Sequence, residues 1–524
     1  MDRILVTEKI AAEGLAALRK SAEVDVQTNL DKDTLLRTVP EYDALVVRSG
    51  TKVTAEVLAA GTKLRVVGRA GTGVDNIDVG AATERGVMVV NAPASNSVAV
   101  AELTINFILA LARQLTHAQA SLVDQKWERS KFMGFEVRGK TLGLVGLGRI
   151  GAEVARRARA LEMHILAFDP VVSTDRATQI GATMTTLDEV IAQSDFVSLH
   201  VPMTDSNYHL INADRLAQMK PTAYVINAAR GGIVDEVALA NALEQNQIAG
   251  AAIDVFEKEP PIGNSLIGHP HVICTPHLGA STNEAQALSG VDVAEGVITA
   301  LAGGTPRYAV NAPFVAPEEW EVLAPYITLG QRLGALCMGL VQEPVQSYEF
   351  EYRGELANVE TAPVRMAILQ GLLSGTCEQR VTPVNAPLLA RDRGLKFQEL
   401  SNADDHSYSG LLTIRAETAH GPREFAGTIL RDEPHVIEAD NYWVNFTPSG
   451  PLLFTYHRDR PGMIGRVGTL LGSGDVNVSG MHVGRQAPRM SAMMVLTLDD
   501  PVSPKILSKI AEEPDIERAY SIVL

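Results

Sequence analysis

Cysteine is scarce in this chain, with three in 524 residues. Cys274, Cys337 and Cys377 are too few and too scattered for a disulfide framework or a zinc site, so they read as reduced buried thiols and no metal is expected. An excess of positive charge is also missing. The net charge of −16 argues against nucleic acid or an anionic membrane as the main partner, and it means that an anionic substrate needs locally clustered arginines. Long hydrophobic runs are absent as well. The start, MDRILVTEKI, lacks the apolar core of a signal peptide. The most apolar stretch, Leu103–Ala112, is too short to span a bilayer and is flanked by Glu102 and Arg113. A cytoplasmic location is expected.

What is present is length: 524 residues with 46% hydrophobic content are too many for one core and suggest three or four globular domains. The most informative segment is TLGLVGLGRIG, Thr141–Gly151. Leu142–Val145 reads as a buried parallel strand and Ile150–Leu161 as an amphipathic helix, with Gly146, Gly148 and Gly151 at the turn. Glycines there leave room for a dinucleotide pyrophosphate at the helix N-terminus, where free N–H groups and the helix dipole attract anions. Asp169 ends the next apolar run, 18 residues after Gly151, close to the spacing at which a carboxylate meets an adenosine ribose. A carboxylate would repel a 2′-phosphate, so NAD is expected rather than NADP.

Residues 1–95 alternate short strands (Ile4–Val6, Ala44–Val47, Val66–Val67, Val87–Val90) with helical stretches, as in a small parallel α/β unit. A helix over Val98–Leu111 leads to the glycine-rich strand, and further strands are expected at Phe196–Leu199, Tyr224–Asn227, Ala251–Val255 and Val272–Thr275. That alternation predicts a doubly wound sheet over 96–285. Helical sequence from Asn283 to Ala302 carries the chain back, so residues 286–311 complete the first unit. Ala312–Pro317 reads as a linker. Residues 318–450 predict an α+β domain with strands such as Val345–Tyr352 and Leu411–Ala416. Residues 452–524 read strand, helix, strand, strand, helix, strand: Leu453–His457, Met463–Leu471, Val476–Val483, Met490–Leu498, Ser503–Ala511 and Ile516–Ile522. This is the ferredoxin-like βαββαβ order of small-ligand sensors.

Three polar residues sit just beyond predicted strand ends, where open α/β sheets bind ligands: Arg230 in NAARGGIVDE, Glu259 in AIDVFEKEP and His277 in CTPHLGAS. Hydride transfer from C2 of a 2-hydroxy acid needs a base for the hydroxyl proton, and histidine titrates near neutrality. A carboxylate would orient its ring, and an arginine would hold the substrate carboxylate through paired hydrogen bonds. Singly, each has a structural alternative: a core histidine, a helix-capping arginine, a solvated loop charge. On one side of one dinucleotide-binding sheet, together, they point to chemistry.

The set VGLGRIG, NAARGGIVDE, AIDVFEKEP and PHLGAS resembles the D-isomer-specific 2-hydroxyacid dehydrogenases. VVRSGTKV, RAGTGVDNID and NAPASNSVAVAE, with the two C-terminal units, resemble its long branch acting on 3-phosphoglycerate. The resemblance spans essentially the whole chain. It implies two Rossmann-like domains, for substrate and NAD, then an intervening domain and an ACT domain. It implies catalytic roles for Arg230, Glu259 and His277. It places cofactor contacts at Thr72, Gly146, Gly148, Arg149, Ile150, Gly151, Asp169, Ala228 and Asp254, and substrate contacts at Arg48, Ser49, Asn96 and the backbone around Gly71 and Gly73. Arg129 and Lys131 in WERSKF are expected to add positive charge beside Arg48, or to lie on a solvated helix; in this family such residues can reach a neighbouring subunit's cleft. A homo-oligomer, dimer or tetramer, is therefore expected.

HRDRPGMIGRVGTLL followed by GDVNVSGMHV resembles the ACT signature. By that resemblance L-serine would be gripped between two subunits by His457, Asp459 and Asn477, with Asp459 standing where many such sites have asparagine. The implied activity is NAD-dependent oxidation of 3-phospho-D-glycerate to 3-phosphohydroxypyruvate, the first step of phosphorylated L-serine biosynthesis, with serine feedback. Two alternatives remain open: a dehydrogenase for another 2-hydroxy acid, such as glycerate, and a non-enzymatic NAD sensor on the same fold.

Overall fold

In a computed structural model that describes residues 1–313, 315, 317–403 and 408–524, the chain builds four sheets. Phe314 and Ala316 of the expected linker lie outside the described residues. The first sheet has five parallel strands in the order Glu23–Val26, Arg3–Val6, Ala44–Val47, Val66–Arg69, Met88–Val90. The edge strand Glu23–Val26 is not among the strands expected from sequence. Its EVDV pattern is half charged and none of its residues is buried, which suits an edge strand and leaves no apolar run to read.

Seven parallel strands form the second sheet, in the order Val272–Cys274, Gly250–Ile253, Tyr224–Asn227, Phe196–Leu199, Thr141–Val145, His164–Phe168, Thr183–Met184. Strand order reverses at Thr141–Val145, and Phe196–Leu199 pairs with it on the side opposite His164–Phe168. The central strands are buried throughout, as continuous apolar sequence demands when helices cover both faces. The long helix Asn283–Leu301 returns to the first sheet. Val293 and Val297 pack over Gly68, and its Gly290 backbone lies so close to Gly14 that a Cβ there would collide with the Gly290 carbonyl.

No single helix among the described residues is long and apolar enough to cross a membrane. The bent pair Ser97–Arg113 and Leu115–Val123, at 65°, passes by length and composition, and the first of these helices is largely buried in the core of the second sheet.

The third sheet has six strands in the order Phe397–Asn402, Val345–Gly354, Gly410–Thr418, Gly421–Leu430, Glu433–Ala439, Tyr442–Phe446. Only the first pair is parallel. The fourth is antiparallel, ordered Val478–Arg485, Ser491–Leu498, Pro451–Arg458, Ile516–Val523. Helices Met463–Ser473 and Pro504–Ala511 cover one face through Leu453, Met494 and Leu496. The other face, with Leu452, Phe454, Tyr456, Met493 and Val495, shares one core with the long helix Pro317–Leu340 of the preceding unit. Both faces of the strand Pro451–Arg458 are therefore covered, which accounts for its unbroken run of buried residues Leu452–His457.

Candidate active site

The glycine-rich turn leaves the strand Thr141–Val145 at the point where strand order reverses. Its three glycines are there for three different reasons. Gly146 takes φ +99°, and a Cβ would strike the carbonyl of His200. Gly151 lies against the Gly146 carbonyl, while a Cβ on Gly148 would meet open space. Only Gly148 therefore leaves room for a pyrophosphate to approach; the other two serve the turn itself. Arg149 and Ile150 open the helix Arg149–Ala160, and the Arg149 guanidinium lies over the Tyr308 ring, 5.9 Å from its centroid.

Asp169 follows the neighbouring strand. Its carboxylate accepts backbone N–H bonds from Leu147 at 2.8 Å, Val171 at 2.8 Å and Val172 at 3.1 Å. Burial alone would raise its pKa, but these donors hold it below the ordinary carboxylate range. The acidic group is thus ionised and fixed beside the glycine turn.

His200, whose N–H donates to Val145 O at 2.8 Å, is pushed down to about 4 by burial. The unfolded chain, with its histidine near 6.5, takes up this proton first on acidification. Stability present above roughly pH 6.5 is therefore lost as the pH falls towards about 4. The thermal midpoint is expected to drop across that window, and to drop less in His200→Gln, as followed by circular dichroism.

The carboxyl ends of the two parallel sheets face each other. Beyond Tyr224–Asn227, the buried Asn227 side chain donates to Arg230 O at 2.8 Å and accepts from Ala229 N at 3.1 Å, shaping the loop that carries Arg230. The Arg230 guanidinium reaches the first domain, where Nε lies 3.5 Å from Asp75 and a Cβ on Gly73 would collide with Nη2.

His277 has φ +55°, uncommon for a non-glycine residue and concentrated at functional sites. Its Nδ1 is 2.9 and 3.1 Å from the two Glu259 oxygens. Facing a carboxylate acceptor, Nδ1 carries the hydrogen, which leaves Nε2 as the free ring nitrogen. The loop that carries His277 hangs on Asp254, which is fully buried. Asp254 accepts from Thr275 Oγ1 at 2.6 Å, Leu278 N at 2.7 Å and Gly279 N at 2.9 Å.

Arg48, Gly71, Thr72 and Asn96 line one small cavity, and Thr72 Oγ1 donates to Asn96 Oδ1 at 2.9 Å. Ser49 is exposed on the adjoining loop. That loop is held by Glu8, which accepts from Arg48 N, Gly50 N and Thr51 N at 2.8–3.0 Å. Ala228 is buried beneath the cleft.

Sequence reasoning missed Arg69. It ends the strand Val66–Arg69, and its guanidinium lies over Gly71. Burial lowers its pKa, as does the charge of Arg230, with Arg48 adding to the effect against Asp75 and Glu8. Its Nε has no hydrogen-bond partner among the described residues. The signal was legible in RAGTGVDNID, whose arginine closely follows a predicted strand.

Arg129 and Lys131 occupy the exposed turn Arg129–Phe132, where Lys131 pairs with Glu128 at 2.6 Å. Within one chain, no hydrogen bond or ion pair among the described residues joins either to Arg48.

In the last sheet, His457 is buried and Asp459 accepts from Arg489 N at 3.1 Å, with Arg485 3.4 Å away; all four line one cavity. Burial holds the His457 pKa below its ordinary value. Asn477 does not join them. It donates to Asp499 at 2.6 Å, at the opposite end of the sheet, where Val478 pairs with Leu498 while His457 pairs with Ala492. Six rungs of strand, roughly 20 Å, separate the two ends.

Residues 105–279 match the family described as D-isomer specific 2-hydroxyacid dehydrogenase, NAD binding domain. Residues 322–440 match the D-3-phosphoglycerate dehydrogenase intervening domain, and residues 452–515 the ACT domain. The chain is 44% identical to the D-3-phosphoglycerate dehydrogenase of Synechocystis sp., over 100% of this chain and 95% of that one. The chain belongs to the D-3-phosphoglycerate dehydrogenase family. The family member of Archaeoglobus fulgidus is 42% identical over 97% of this chain and 98% of its own. Among solved structures, the TT0316 protein of Thermus thermophilus is 34% identical, with a TM-score of 0.55 over 59% of this chain and 99% of that one. As a family member the chain is an NAD-dependent dehydrogenase, and its glycine turn and Asp169 fit that cofactor.

Proposed function

We propose that the chain oxidises 3-phospho-D-glycerate to 3-phosphohydroxypyruvate, the entry step of phosphorylated L-serine biosynthesis, and that L-serine restrains it through the ACT domain. The observation that carries the reading is the cluster of Arg48, Arg69 and Arg230 at one cleft in a chain of net charge −16. A substrate with a carboxylate and a phosphate needs that much local positive charge; glycerate does not.

Arg230 is assigned the carboxylate, and Arg48 with Arg69 the phosphate. His277 Nε2 takes the C2 hydroxyl proton, and Glu259 holds the ring and stabilises the imidazolium. NAD, when bound, accepts the hydride from C2. The pair Glu259–His277 favours this reading over a non-enzymatic sensor, since NAD binding alone needs neither group.

Initial rates of NADH formation with 3-phosphoglycerate and with glycerate test the assignment. A strong preference for the phosphorylated acid is expected. Arg69→Met is expected to lower kcat/KM for it by roughly 10–100-fold, the loss of one charged hydrogen-bonding contact, and to leave glycerate turnover nearly unchanged. Turnover of glycerate in preference to its phosphate would overturn the reading.

Leu115, Leu122, Val123, Trp127 and Met133 form an exposed apolar arm beside Arg129 and Lys131. The reading includes a homo-oligomer that covers this arm and brings those cations to a neighbour's cleft. Serine binding also requires two copies, because Asn477 lies a sheet's length from His457 and Asp459 in one chain. L-Serine is expected to lower the initial rate, and His457→Ala to abolish that response while leaving the uninhibited rate intact. A rate indifferent to serine would return the three residues to structural roles.

A further inference from the structure

The loops that carry Arg230 and Glu259 press against each other, and a third loop ties them together. Arg230 lies on residues 228–235, after strand Tyr224–Asn227, and Glu259 on residues 254–259, after strand Gly250–Ile253. Where they meet, a Cβ on Gly231 would collide with the Phe256 carbonyl and the Glu257 backbone nitrogen. The Glu259 carboxylate in turn accepts from Phe256 N at 3.2 Å. The backbone of Phe256 and Glu257 therefore sets where Glu259 meets His277.

The third loop, residues 208–211, is zipped to the loop that carries Arg230. His209 N donates to Gly232 O at 2.7 Å, Ile211 N to Ile233 O at 3.0 Å, and Asp235 N to Ile211 O at 2.9 Å. His209 keeps this place at φ +50°, a left-handed conformation that costs a non-glycine residue energy and gathers at functional sites. Its ring stacks on that of Tyr208, with centroids 3.9 Å apart. Both side chains then reach across to the loop of Glu259. Tyr208 Oη donates to Glu257 Oε1 at 2.7 Å, and His209 Nε2 lies 3.5 Å from Glu257 Oε2. On its other edge, His209 Nδ1 lies 3.6 Å from Asp235, whose carboxylate accepts from Ala238 N at 2.9 Å. Nε2 is enclosed and has no hydrogen-bond partner among the described residues. A ring nitrogen cut off from water gains most from the nearest acceptor, which draws Glu257 towards it.

We propose that Tyr208 and His209 are positioning residues for the reaction: they clasp Glu257, and so hold Glu259 and His277 in register with Arg230. This rests on the roles proposed above for Arg230, Glu259 and His277. Register matters because the group that holds the substrate carboxylate and the group that takes the C2 hydroxyl proton sit on different loops. A misplacement of about 1 Å between them costs on the order of 10²-fold in rate.

Steady-state kinetics with 3-phosphoglycerate on full-length Tyr208→Phe, His209→Leu and the double variant test this, beside NADH fluorescence titrations. Tyr208→Phe removes one hydroxyl from a half-exposed side chain and keeps the stacked ring, so the test does not depend on a variant that fails to fold. A kcat lowered about 10-fold is expected in Tyr208→Phe, and about 100-fold in the double variant, with the Kd for NADH unchanged. The acid limb of the pH–rate profile is expected to move to lower pH, because a loosened Glu259 stabilises the imidazolium of His277 less. His209→Gln, which offers an amide N–H to Glu257, is expected to recover most of what His209→Leu loses. Adding Glu257→Ala to the double variant is expected to cost nothing more, since the three side chains act as one unit. Wild-type kcat in the double variant overturns the proposal, and so does a loss that leaves the pH profile in place. His277→Ala serves as the control. Turnover that persists there removes the catalytic assignment, whereas its collapse beside an unaffected double variant removes the clasp alone.

Discussion

Replacing His277 with alanine is expected to lower kcat by roughly 10²–10⁴-fold, the usual contribution of a positioned acid–base group, while NAD binding persists. The cause is local. Nε2 is the free ring nitrogen because Nδ1 faces both oxygens of Glu259 at 2.9 and 3.1 Å. His209 also lies near carboxylates, with Asp235 3.6 Å and Glu257 3.5 Å from its two ring nitrogens, and its Nε2 is enclosed without a hydrogen-bond partner among the described residues, so it presents no accessible nitrogen to replace the lost base. Asp169 and the glycine turn follow the strands His164–Phe168 and Thr141–Val145 and make no hydrogen bond or ion pair to the His277–Glu259 pair among the described residues, so cofactor affinity should survive. NADH fluorescence titration beside steady-state rates separates the two effects. A variant that retains full turnover would remove His277 from the chemistry. Glu259→Gln should show a smaller loss, together with a shifted pH–rate profile, because it keeps the hydrogen bond and drops the charge that stabilises the imidazolium.

Asp254→Ala is expected to cost about 3–5 kcal/mol of stability and most of the activity. Its carboxylate is fully enclosed, and removing it strands the hydroxyl of Thr275 and the N–H groups of Leu278 and Gly279. Buried donors left without acceptors cost roughly 1–3 kcal/mol each, partly offset by water entering the gap. The same loop carries His277 at its unfavourable φ of +55°, a conformation that persists only while its surroundings enforce it. Denaturant unfolding and activity measured well below the melting temperature separate the two losses. Asp254→Asn should fall between, since it keeps one acceptor oxygen but turns an amide towards an N–H. Wild-type stability in the alanine variant would mean that the loop is held elsewhere.

Much of the molecule is legible in its sequence. The central strands of the second sheet alternate with helices, and their continuous apolar runs mark them, because a strand covered on both faces has no polar side to show. The glycine turn was legible for a similar reason: backbone crowding at Gly146 and Gly151 excludes side chains whatever the rest of the fold does. Edge strands such as Glu23–Val26 were not legible, since their outward positions are chosen for solubility rather than burial.

Sequence by itself determined the order of elements, the glycine-rich turn and the strand ends from which Arg230, Glu259 and His277 project, because these depend on local backbone preference and hydrophobic period. Tertiary structure alone decided which charges meet. Residues 18 apart in sequence, Glu259 and His277, come within hydrogen-bond distance. Arg69 turns inward to join Arg48 and Arg230, and Asn477 stays a sheet's length from His457. The last two units merge into a common core. Such pairings are set by the packing of whole sheets and helices, and no spacing along the chain encodes a distance between them.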